Sequence, residues 1–155
     1  MKTLENVPVK NILSALAVPF FGFALWNVIF MLFALLVRVV LLFLPVDFVR
    51  TSSWFMPLML ILFDIAILAL SWFIFRLGLP DLMKAVYATV PLAVIFVSIG
   101  IFTFPWSALA YGLNGFVFGM IIGYLYYAKK PWIYLYTTVF VAGTLLIFTL
   151  LGGEI

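Results

Sequence analysis

The sequence predicts an all-α membrane protein: a polytopic bundle of five spans, N-terminus in and C-terminus out, with an apolar lead-in helix before the first span. Three observations carry this. Hydrophobic residues make up 68% of the 155 positions and charged ones 8%, against roughly 25% charged in soluble domains, so the chain cannot clothe a water-facing surface. The apolar residues fall into long runs, and about 20 residues suffice to cross ~30 Å of hydrocarbon. Those runs are apolar on every side and do not alternate polar with apolar, which selects helices over barrel strands.

Met1 to Lys10 is a short polar tail. The run from Asn11 to Leu44 is longer than one simple span. Counting back from Pro45 to Trp26, and placing that indole at the interface, puts span 1 at 25–44. Residues 11–18 then form an interfacial or cytoplasmic lead-in helix that ends near Pro19 and Gly22. The rival reading is one long, kinked helix over 11–44. A polar connection from Pro45 to Pro57 (Asp47, Arg50, Thr51) leads to span 2 at 54–75. Arg76, Gly78 and Pro80 turn the chain into span 3, 82–104, where Pro91 is a candidate bend. Phe104-Pro105-Trp106 turns it again into span 4, 107–127, which Lys129-Lys130-Pro131 closes before span 5, 132–151. The whole chain is one transmembrane domain. Ala15-Leu16-Ala17 resembles a signal-peptidase site, but too little apolar sequence precedes it to form an h-region.

Counting cations sets the expected orientation. Lys2, Lys10, Arg76, Lys84, Lys129 and Lys130 gather on one side, whereas Arg50 lies on the other with Asp47 and Glu154. The positive-inside rule makes the lysine-rich side cytoplasmic, in a multi-pass protein of the cell membrane. The net charge of +3 is thus a topology signal, and no nucleic-acid partner is expected.

Span 4 stands out. Ala108, Gly112, Gly115, Gly119 and Gly123 recur at helical spacing and strip one helix face of side chain. That is the small-xxx-small pattern by which membrane helices approach backbone to backbone. Span 4 therefore reads as a core helix whose glycines pack against span 2 or span 5, with a contact between copies as the alternative.

Two charges fall inside spans, Arg38 and Asp64, each seven residues from a flanking proline, Pro45 and Pro57. Equal depth on neighbouring antiparallel helices lets them pair, as a structural clasp or as a contact for an ion, proton or anionic solute; Arg38 snorkelling alone is the third option. Asn114 and Asn27 complete the candidate polar site, as interhelical hydrogen bonds or as groups lining a pore. The absence of Cys and His excludes disulfides, thiolate nucleophiles and the usual zinc and haem ligand sets. The scattered carboxylates suggest no metal cluster, so neither a cofactor nor catalysis is expected.

The segment from Arg76 to Pro91, with Tyr87-Ala88-Thr89 two residues before the proline, resembles a stretch of Yip1-like five-span membrane proteins. The resemblance implies five spans, a cytoplasmic N-terminus and a non-enzymatic role in membrane organisation or transport. The residues themselves point first to permeation of an ion or small solute, alone or as a subunit. The alternatives are an assembly subunit of a larger membrane complex and, third, a lipid-processing enzyme. Expected partners are membrane lipids and either a second copy or another membrane subunit.

Overall fold

The computed structural model describes residues 6–44 and 52–151, and every regular element within them is a helix. Five helices follow in order: α1 (Asn6–Phe43), α2 (Phe55–Arg76), α3 (Asp81–Thr103), α4 (Ser107–Tyr127) and α5 (Trp132–Leu150). All five are long and apolar enough to cross a membrane. The bounds of α2 to α5 match the sequence expectation to within one residue, because proline, glycine and charge punctuate each run. Lys2, Asp47, Arg50 and Glu154, used above to judge orientation, lie outside the described residues.

The first helix corrects the preferred sequence reading in favour of its rival, one long helix. Lead-in and span are one element of 38 residues, about 57 Å long at 1.5 Å per residue. Pro19 removes a single backbone bond, to the Ala15 carbonyl, and tertiary packing on either side holds the helix through it. Val18 is fully buried against Ala85 of α3 and Ile133 of α5. One turn on, Gly22 lies so close to Thr89 that a Cβ would sit 2.6 Å from the Thr89 methyl group. Trp26 packs against the cluster of Ala88, Ala93 and Phe96 in mid-bundle, so it marks no interface.

The second correction concerns the centre of the bundle. It is α3, and not the glycine-striped α4. All residues from Ala88 to Val94 of α3 are buried, so this helix is enclosed on every side. Its Ala85, Ala88, Thr89 and Ala93 are small enough to admit neighbours from several directions. Pairings fix the directions. Val18 and Gly22 of α1 meet Ala85 and Thr89, while Ile133 and Val141 of α5 share clusters with Ala85 and Ala93; both helices therefore run parallel to α3. Helix α2 runs against α1, with Phe33 on Phe63 (ring centroids 4.7 Å apart) and Val37 beside Met59.

Polar side chains within the helices are mostly spent locally. Thr137 and Thr138 of α5 donate to the carbonyls of Ile133 and Tyr134, at 2.8 and 2.9 Å, which hides both hydroxyls inside the core. Ser71 of α2 donates to Ile67 O and accepts from Tyr87 of α3 at 3.2 Å. At the same end of the bundle Lys84 donates to the Phe75 carbonyl at 3.1 Å, and Tyr134 donates to Asp81 at 3.1 Å. These bonds tie the turns between helices to the helices beside them.

Candidate functional site

Helix register decides the fate of the expected Arg38–Asp64 pair. With Phe33 opposite Phe63 and Val37 beside Met59, Asp64 stands level with Leu32, six residues or ~9 Å along the axis from Arg38. The proline count erred because Pro57 sits inside the first turn of α2, while α1 already ends at Phe43. Among the described residues no ion pair joins the two. Arg38 is exposed near the end of α1. Asp64 turns to α3, where its carboxyl meets the Ser98 hydroxyl, and its Oδ1 is buried with no hydrogen-bond partner. Asn27 is exposed and donates to the Phe23 carbonyl of its own helix at 2.8 Å.

Asn114 has a different setting. It is one wall residue of a cavity of about 680 Å³ between α3, α4 and α5, within the range of ligand-sized pockets (~300–1,000 Å³). Phe96 and Phe104 come from α3, Tyr111, Asn114 and Phe118 from α4, and Ala142, Leu145 and Leu146 from α5. Space exists because the facing helices are thin here: a Cβ added at Gly115 or Gly143 would meet nothing within 4 Å. The rim residues Phe104, Tyr111, Val139 and Leu146 are exposed, so the cavity opens sideways, between helices. Its walls carry no charged residue. The Asn114 side-chain oxygen is itself closed off from the open space and buried without a hydrogen-bond partner, a state with a desolvation cost of roughly 1–3 kcal/mol.

The four polar candidates are therefore not one site. Arg38 and Asn27 face outward, Asp64 lies between α2 and α3, and Asn114 faces the cavity. Sequence reasoning missed Ser98, Gly143 and the cavity itself. The signal available was the small pair Ala142-Gly143 in the middle of span 5.

The glycine face gives the third correction. Ala108, Gly112, Gly115, Gly119 and Gly123 are all exposed, and α4 contributes no buried residue to the bundle. A Cβ at any of the four glycines would meet open space. The half-buried side of α4 is the one bearing Val117, Phe118 and Ile121, which rest on the α3–α5 cluster. Gly112, Gly119 and Gly123 look away from it, while Gly115 sits at the edge of the stripe on the cavity wall. The helix turns its bulky side inward because those side chains fill the space left by the small residues of α3, and glycines have nothing to fill it with.

Among the described residues no three His, Cys, Asp or Glu side chains converge in a metal-ligating group. These features define the class, a helical bundle with five membrane-capable helices. Comparison with protein family models, curated proteins and solved structures finds no match.

Proposed function

We propose that this chain is a non-enzymatic structural subunit of a membrane assembly, embedded N-in and C-out in the cell membrane, and that it binds a second copy through α4. One observation carries the reading: the glycine stripe of α4 is bare, with open space over Gly112, Gly119 and Gly123. Within lipid a groove of this kind gains from a second backbone that enters it, through close packing that lipid tails do not match. Phe116 and Met120, both exposed on α4, supply ridges beside the groove.

Permeation draws less support. A polar route would gather the intramembrane polar groups along one water-filled path, whereas Asp64 is outside the cavity wall and ~9 Å along the axis from Arg38. The test exploits the lack of native cysteine. Single cysteines placed along α4 in native membranes should form symmetric disulfides at Gly112, Gly119 and Gly123 and not at Leu113 or Tyr124. Crosslinking without that helical period, or a monomer at every lipid dilution, overturns the reading.

A further inference from the structure

Helices α2 and α3 hold between them a carboxyl group that assembly through α4 does not use. From its surroundings we propose that Asp64 is a proton-binding site in mid-membrane, its carboxyl carried as the neutral acid and paired with the hydroxyl of Ser98.

Position comes first. Asp64 is nine residues from the start of α2 and twelve from its end, ~14 and ~18 Å along the axis. Ile67 and Val94, one turn away on α2 and α3, belong to an apolar cluster with Ile29 and Val90, and Phe63 packs on it. A bare carboxylate at that depth needs a cation beside it, and the described residues bring none. Helix α1 carries Lys10 near its start and Arg38, which is exposed and six residues out of level with Asp64. Arg76 of α2 lies over the Trp72 ring at 3.7 Å, and Lys84 of α3 donates to the Phe75 carbonyl; both are at the far end of the seam. Helices α4 and α5 contain no charged residue. Asp81 accepts from Tyr134 at that same far end. Tyr87, the tyrosine of the seam, is engaged with Ser71, seven residues or ~10 Å along α2 from Asp64.

Chemistry then selects the ligand. Oδ1 of Asp64 is closed off from any open space and has no hydrogen-bond partner, so neither water nor a metal ion has room beside it. Ser98, buried in α3, meets the carboxyl. The next hydroxyl along α3, that of Thr103, is spent on Ile99 O at 2.5 Å. One carboxyl and one hydroxyl are too few oxygens for a hard cation, which takes about six or more. A proton needs no room and no further ligands. It removes the charge and turns one carboxyl oxygen into a donor. Oδ1 is left as a neutral acceptor, whose want of a partner costs far less than a buried charge does.

The test is the infrared spectrum of the full chain in phosphatidylcholine vesicles at neutral pH, where an ordinary aspartate is ionised. The carbonyl band of a protonated carboxylic acid is expected. It should shift when the aspartates carry a carbon-13 carboxyl, disappear in Asp64→Asn and persist in Arg38→Gln. Ser98→Ala should move it to higher frequency, because the acid loses its hydrogen-bond partner. Should Asp64→Asn fail to fold, the isotope shift, together with a band unchanged in Asp47→Asn and in Asp81→Asn, assigns the proton to the remaining aspartate. Four results overturn the inference: no protonated-acid band at neutral pH, a band that survives Asp64→Asn, a band that Ser98→Ala leaves unmoved, or one that appears only once Arg38 is replaced.

Discussion

Helices α3 and α4 are nearly equal in length, 23 and 21 residues, and both are rich in small residues, yet they stand at opposite extremes. Over its most apolar window α3 is 56% buried, and α4 is 0% buried. The small residues of α3 keep a Cβ and are spread around the helix, so each neighbour finds shallow but real side-chain contact. Those of α4 are glycines gathered on one face, which offers a groove and no atoms to fill a gap. Glycine works inside this bundle only where another side chain enters it, as Thr89 does at Gly22. Small-residue spacing therefore marks a contact surface without saying whether the partner belongs to the same chain.

Four substitutions and one double-mutant cycle can break or sharpen this contrast. The largest effect is expected at Ala93, fully buried in α3. Ala93→Leu should overpack the junction with α5 and lower stability by about 3 kcal/mol, read from the unfolding midpoint in mixed micelles. Gly22→Ala comes next. Its Cβ would meet Thr89, whose hydroxyl is bonded to Val86 O at 2.7 Å and resists rotation. Overpacking of roughly 1–3 kcal/mol offsets a helix-propensity gain of at most about 1 kcal/mol, so a net loss of up to about 2 kcal/mol is expected. A stabilised Gly22→Ala protein would refute close packing there.

Gly119→Leu is the counterpart on α4. It should leave the unfolding midpoint of the monomer within about 0.5 kcal/mol while weakening self-association at least tenfold, about 1.4 kcal/mol, as measured by energy transfer between labelled copies. A folding defect equal to that of Gly22→Ala would erase the distinction between the two faces.

Two smaller effects test the helix ends and contacts. Lys129 has φ 48°, where the α4 terminus closes with Lys130 N–H on Leu125 O and Lys129 N–H on Tyr126 O. This is a Schellman motif with lysine at the left-handed position that favours glycine. Lys129→Gly should raise stability by about 0.5–1 kcal/mol. A cycle of Ser71→Ala and Tyr87→Phe should return a coupling near 0.6 kcal/mol, the usual worth of an interhelical hydrogen bond in a membrane; zero coupling would show that their contact adds nothing.

Much of the bundle was legible from residues alone. Composition forces the chain out of water, and proline, glycine and charge punctuate the helices so firmly that α4 begins and ends where its sequence says. These are local matters, settled by the immediate surroundings of each backbone group. The candidate polar site was not legible, because its geometry depends on register. A shift of a few residues in where α1 and α2 end takes Arg38 off the level of Asp64 and gives Asp64 to Ser98 instead.

By itself, then, the sequence determined the number of membrane-capable spans and the bounds of the last four, since hydropathy and chain breakers act over one turn or one span. Only the tertiary structure decided which helix lies in the middle, that α1 runs unbroken through Pro19, and that Asn114 borders a cavity while Gly112, Gly119 and Gly123 face outward. In an all-apolar chain every face is equally greasy, so hydropathy cannot choose the inward one. Side-chain shape makes that choice, and shape matters only once the neighbours are in place.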